Sequence, residues 1–284
     1  MKFVIRLILL SCLLVSLSLV SGCEDTDLQL VTEAGLEAVK AVTLSDEEVR
    51  SISLRAAAQV DGKNMVAGAA DPYGLRLQKL VSTHQKENDI EFNFKVYLDS
   101  TINAFAMADG TIRVYSGLMD MMDDGELRFV IGHEMGHVLK KHIKKKMMLA
   151  YAGSAVRKGV ASQNNVAGDI ARSGLGGLIE SVVNAQFSQQ EEREADDYGL
   201  EFLQQKEYQP AKAISALKKL ATLGNDHSFL SSHPAPGKRA VRLEKALNSP
   251  QTQEDISEDT VMSNVLEVIY SLWEKLKGLI AGLL

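Results

Sequence analysis

The sequence predicts an α+β fold, mostly helical, with a small antiparallel sheet beside one central helix. Three observations predict it. Between Ser45 and Leu247 several stretches carry apolar residues at helical spacing, while Phe92 to Leu98 alternates with a period of two. The third is Ile131-Gly132-His133-Glu134-Met135-Gly136-His137, which sets two imidazoles and a carboxylate within one and a third turns of a helix. A chain of 284 residues with 45% hydrophobic content can build one sizeable core and still leave extensions.

The first extension is residues 1–22. Lys2 and Arg6 precede an apolar run from Leu7 to Val20, and small residues Ser21 and Gly22 lead to Cys23, the pattern of a secretory leader. The run is shorter than the ~20 residues that a membrane span needs. Val20-Ser21-Gly22-Cys23 resembles a bacterial lipobox. The resemblance implies cleavage before Cys23, lipidation of that residue and attachment of the protein to a membrane through it. Glu24, rather than aspartate, follows Cys23. By analogy with enterobacterial lipoprotein sorting this favours the outer membrane of a bacterial cell envelope, facing the periplasm. Cys12 would leave with the leader, so any metal site must draw on His, Asp or Glu. Losing Lys2 and Arg6 takes the formal net charge from −6 to −8. That sign argues against nucleic acid as a partner.

Residues 23–44 read as a polar, weakly helical tether. Ser45-Asp46-Glu47-Glu48 is a capping box opening a helix to about Val60, and Asp71-Pro72 opens another carrying Leu75, Leu77, Leu80 and Val81. Strands follow over Phe92–Leu98, Thr101–Ala106 and Thr111–Tyr115, the last two joined by a turn containing Asp109-Gly110. Asn103-Ala104-Phe105-Ala106 is a candidate exposed edge where an extended peptide could pair, making Asn103, Ala104 and Phe105 candidate substrate-binding residues. Ordinary core strands would fit the same pattern. Asp123 and Glu126 start a helix predicted to continue to about Leu149. Its lysines Lys140, Lys141, Lys144, Lys145 and Lys146 suit a solvated helix C-terminus or anionic lipid headgroups. Tyr151 to Asn184 is rich in small residues but interrupted by charges, which suggests loosely packed helices over the site rather than a span. After a polar linker over 249–260, residues 261–284 form an amphipathic pattern. It could dock on its own domain, on an envelope protein partner, or on a membrane surface.

On a helix His133 and His137 lie about 40° apart around the axis, so both can reach one metal ion. The pattern H-E-x-x-H uses its glutamate, here Glu134, as general base. Gly132 and Gly136 cost the helix roughly 1 kcal/mol each against alanine, which points to a close approach there. A catalytic zinc wants a third protein ligand. A three-histidine extension would need glycine at 140 and histidine at 143, and Lys140 and Ile143 exclude it. His142 falls about 180° around a continuous helix from His133. The acid-rich run Gln190 to Gly199 is the remaining source: Glu192 and Asp196 share a face at i, i+4, and Glu194 with Asp197 is a possible rival pair.

The combination of His133-Glu134-Met135-Gly136-His137 with Glu192-Arg193-Glu194-Ala195-Asp196 resembles the gluzincin metallopeptidases of the HtpX, BepA and CAAX-protease type. Asn103-Ala104-Phe105-Ala106, Arg113 to Leu118 and Ser232-His233-Pro234 with Arg239 also match that pattern. The resemblance covers about Ser45 to Leu247 and implies a zincin-like peptidase domain over 45–248. It assigns one Zn2+ per chain to His133, His137 and Glu192, catalysis to Glu134, and an acid or orienting role to Asp196. His233 would approach the metal or stabilise an oxyanion, and Arg239 would organise the cleft. The implied activity is endopeptidase action on misfolded or unassembled envelope proteins. The alternative is a lipoprotein that escorts such proteins around a structural zinc, a role with no use for Glu134.

Overall fold

The computed structural model describes residues 27–162, 186–224 and 228–248. The leader, Cys23, the 249–260 linker, the 261–284 helix and the 163–185 part of the small-residue stretch lie outside them. The described chain is α+β and mostly helical, as expected. Among the described residues no helix is long and apolar enough to cross a membrane.

Local chemistry sets the early helix starts. α1 (Leu28–Thr43) is capped by Asp27, and α2 (Asp46–Asp61) by the predicted Ser45–Glu48 capping box. α3 (Pro72–Val81) begins at the Asp71 cap with proline at its first position. α1 is more than a tether. It packs against α6 (His142–Ala161), where Lys158 Nζ bridges Glu33 and Glu37 at 2.9 and 2.8 Å while Ala41 is buried.

A two-stranded ribbon of β1 (Lys86–Glu87) and β2 (Ile90–Glu91) precedes the main sheet of β3 (Asn93–Tyr97), β4 (Ala104–Ala106) and β5 (Thr111–Tyr115). The order is β3-β5-β4, with β4 antiparallel to β5 and β3 parallel to it. The antiparallel pairing predicted for the last two strands holds, and β3 joins them in parallel, so the sheet is mixed. The loop after β3 carries the chain past the place β5 will take, and the Met107–Gly110 turn folds β5 back between its neighbours. Gly110, at φ 93°, supplies the turn's left-handed residue. Arg113 on β5 is 2% exposed and donates to Asp61 at the end of α2 (2.8 and 3.0 Å), which also accepts from Lys95 and Tyr97 (2.7 and 2.6 Å). Burial alone would raise the Asp61 carboxyl, but these donors hold it well below the usual carboxylate range. The network ties α2 to the sheet.

After the short α4 (Ser116–Met121), α5 (Asp124–Leu139) starts at the Asp123–Glu126 capping box and is buried on all sides from Phe129 to Val138. A helix covered all round is the centre of its core. It stops at Lys140 rather than continuing to Leu149, because Lys141 takes a left-handed conformation (φ 59°) and α6 restarts at His142. The lysines thus open a helix instead of ending one, and three of them are paired. Lys141 and Lys144 bond Asp46 at 2.7 and 2.6 Å, and Lys145 lies 3.2 Å from Glu191. Beyond the gap come α7 (Gln189–Gln205), α8 (Ala211–Leu220), α9 (Ser228–Ser232) and α10 (Pro236–Asn248).

Candidate active site

α5 and α7 meet through glycine. A Cβ on Gly132 would lie 3.0 Å from the Phe202 ring, and one on Gly136 would lie 3.1 Å from both Ala195 Cα and Tyr198 Cβ. The close approach read from the two glycines is this contact. α7 turns Glu192, Ala195, Asp196, Gly199 and Leu203 toward α5, so its buried face carries two acids at the level of the histidines.

One ligand atom each from His133, His137, Glu192 and His233 lies within 4.8 Å of the others, and all four residues are buried. His137 Nε2 is 3.0 Å from His133 Nε2 and 3.4 Å from Glu192 Oε1. His233 Nδ1 is 2.9 Å from Glu192 Oε1 and 3.3 Å from His133 Nε2. The other side of His133 is fixed by Asp196, whose Oδ1 lies 3.1 Å from Nδ1. A carboxylate can only accept, so Nδ1 carries the proton and Nε2 turns a lone pair into the cluster. Arg239, on α10, donates to both Asp196 oxygens at 2.9 and 2.6 Å and forms an ion pair with Glu192.

The electrostatics suit a cation. Burial pushes the His137 imidazole well below its ordinary pKa despite the pull of Glu192, keeping it neutral and able to donate a lone pair. Burial would raise Glu192, but the charges of His233 and Arg239 outweigh it and hold the carboxyl well below its usual range. Asp196 is likewise lowered by Arg239 against burial. Glu134 is 1% exposed, with its Oε1 buried and without a hydrogen bond, 3.5 Å from His233 Nε2. Two imidazoles, a carboxylate and a third imidazole converging on one point fit a metal ion, and the donor set is of the nitrogen and oxygen kind zinc accepts. Glu194 and Asp197 are not at this point: Glu194 bonds His142 and Asp197 bonds Arg242, at 2.9 and 2.6 Å.

Beside the cluster a cleft is lined by Glu134 and His233 together with Phe105, Met107, Met147 and Phe187. Its rim includes β4, the sheet's outer strand, which lies against α5. Phe105 lines the cleft, whereas the Ala104 side chain is buried in the core and Asn103 bonds Tyr115 through its carbonyl at 3.0 Å. With Asn103, Phe105 and Met107 facing β5, the alternation of an antiparallel ladder turns the backbone groups of Ala104 and Ala106 to the free edge. Residues 163–185, expected to cover the site, lie outside the described residues.

Sequence reasoning missed three residues here. The Phe187 ring stacks on His137 at 3.7 Å between centroids, and Lys146 Nζ sits 3.8 Å over the Phe187 ring. Phe187 directly precedes the Ser188 N-cap of α7, and the Ser188–Glu191 capping box was the available signal. His142, set aside as a ligand, has its Nδ1 2.9 Å from His137 Nδ1.

Comparison with known proteins agrees with this geometry. The model of Peptidase family M48 matches residues 74–247. The chain is 42% identical to metalloprotease LoiP of Escherichia coli (strain K12) over 243 residues, 84% of this chain and 96% of that one. It is 37% identical to metalloprotease YcaL of the same strain over 247 residues, covering 85% and 97%. A more distant relative is the beta-barrel assembly-enhancing protease of that strain, 28% identical over 239 residues, 79% of this chain and 47% of the relative. A match over more than half the sequence, across both the H-E-x-x-H helix and the acidic helix that completes the cluster, makes this chain a metallopeptidase of family M48.

Proposed function

We propose that this chain is a lipid-anchored zinc endopeptidase of a bacterial envelope, hydrolysing peptide bonds in misfolded or unassembled proteins. The observation that carries the hydrolytic part is the convergence of His133, His137 and Glu192 with the buried Glu134 carboxylate, which lines a cleft beside them and whose Oε1 accepts no hydrogen bond. Zinc, when bound, lowers the pKa of a water toward about 7 and polarises the scissile carbonyl. Glu134 takes the water's proton and returns it to the leaving amine. Asp196 holds His133 in one tautomer, and Arg239 holds Asp196 and Glu192 in place. The free edge of β4 aligns an extended peptide by backbone hydrogen bonds, which tolerates many sequences and suits unfolded substrates. His233, in the same cluster and 3.5 Å from Glu134, would approach the metal or stabilise an oxyanion. Anchoring through Cys23, and with it the outer-membrane location, is supported by the lipobox pattern. The envelope role is supported by the likeness to a protease described as enhancing β-barrel assembly.

Glu134→Gln tests the reading. The full-length variant should bind zinc as wild type does and lose at least about 100-fold in cleavage of a denatured protein. Cleavage at the wild-type rate would remove Glu134 from catalysis.

A further inference from the structure

The interruption between α5 and α6 has a geometric effect. On an unbroken helix His142 would lie about 140° around the axis from His137 and could not face it. The left-handed Lys141 turns the chain onto a new axis and returns His142 to the back of His137, Nδ1 to Nδ1 at 2.9 Å. A non-glycine residue in that conformation costs about 1–2 kcal/mol and persists only where its surroundings demand it. Lys141 is held by Asp46 at 2.7 Å. The second nitrogen of His142, Nε2, lies 2.9 Å from Glu194 Oε2, and Gln190 holds the other Glu194 oxygen at 2.7 Å.

With both rings neutral, these contacts give each proton in the chain a direction. Glu194 can only accept, so His142 Nε2 is the donor and its Nδ1 keeps a lone pair. That lone pair accepts the Nδ1 proton of His137, whose Nε2 is then free to face the cluster. We infer that His142 and Glu194 are positioning residues that set the tautomer and ring plane of His137 for the metal. They form a second outer chain beside the one that Asp196 and Arg239 provide for His133. The inference rests on the zinc reading above and adds that both histidines of the motif are oriented from behind, one by a carboxylate directly and one through an intervening imidazole.

The test uses the full-length protein in detergent and Zn2+ in competition with a chromophoric chelator. His142→Leu removes the acceptor and should weaken zinc binding about 10- to 100-fold. His142→Asn places an amide oxygen near the position of Nδ1 and should recover affinity to within a few-fold of wild type. Equal affinity in wild type and His142→Leu, or equal loss in the Leu and Asn variants, would overturn the inference, since mere space-filling does not distinguish acceptors. Should either variant fail to fold, 15N-histidine NMR of the wild type decides. His137 protonated at Nδ1 and His142 at Nε2 support it, and the opposite tautomer of His142 overturns it. His137→Ala is the control for the underlying reading: undiminished zinc affinity there removes the zinc site itself, whereas loss there with none in His142→Leu removes only the positioning role.

Discussion

Gly136→Ala sets two effects of opposite sign against each other. Alanine is the better helix former by about 1 kcal/mol in a helix interior. The new Cβ would nevertheless lie 3.1 Å from Ala195 Cα and from Tyr198 Cβ, and 3.3 Å from the Ala195 carbonyl oxygen. Carbon atoms settle at about 3.5–4.0 Å, so α7 must withdraw by roughly half an ångström. Two of the three neighbours are backbone atoms, which cannot rotate away. Overpacking of this kind costs about 1–3 kcal/mol, leaving a net loss of about 1 kcal/mol. In a domain of this size that lowers Tm by about 2–4 °C. The withdrawal also draws Glu192 back from the histidines, so zinc affinity should fall along with stability. Gly153→Ala in α6 is the matched control, because beyond its chain neighbours and the nearby backbone of its own helix no described atom lies within 4 Å of its added Cβ. It should gain up to about 1 kcal/mol. Thermal unfolding of both variants in metal-free buffer, followed by chelator competition, makes the measurement. If Gly136→Ala raises Tm as Gly153→Ala does, the two helices are not held at contact distance by glycine and the account of the site's geometry fails.

Two further outcomes follow from buried charge. Asp61→Ala leaves the buried Arg113 guanidinium without its carboxylate and should destabilise the fold by about 3 kcal/mol, read as a lowered denaturant midpoint. Burial lowers the Lys146 ammonium from 10.5 to about 8. The unfolded chain therefore holds this proton up to pH 10.5 and the folded chain only to about 8. The penalty is fully present below pH 8 and is relieved as pH rises from there to 10.5, by about 3 kcal/mol at most. Lys146→Met should accordingly be more stable than wild type at pH 7, with the difference shrinking by pH 9.5; a constant difference across that range would contradict the burial of the charge.

The legible parts of the molecule are those governed by neighbours in sequence. Ser45 with Glu48, Asp71 with Pro72, and Asp123 with Glu126 announce helix starts because caps act over three or four residues. The pairing of Glu192 and Asp196 is readable for the same reason, since helical spacing alone puts both on one face. The parallel pairing of β3 with β5 is not, because it depends on a long-range order that alternation cannot encode. Nor is the break after Leu139, which has no glycine or proline to mark it. Reading through that break gave His142 the wrong bearing, and the Glu194–His142 contact disappeared with it. His233 and Arg239 came from family likeness rather than periodicity, and their convergence on Glu192 and Asp196 becomes visible only when α10 is docked.

His133 and His233 are 100 positions apart, and Arg239 joins from farther still. A chain that must bring such distant segments together has no working centre while it is being made or while it is partly unfolded. In that condition the histidines, Glu192 and Arg239 are apart, and the chain cannot hydrolyse a peptide bond. Competence requires that α10 has closed on α7 through Arg239, so correct assembly and the licence to hydrolyse become a single event.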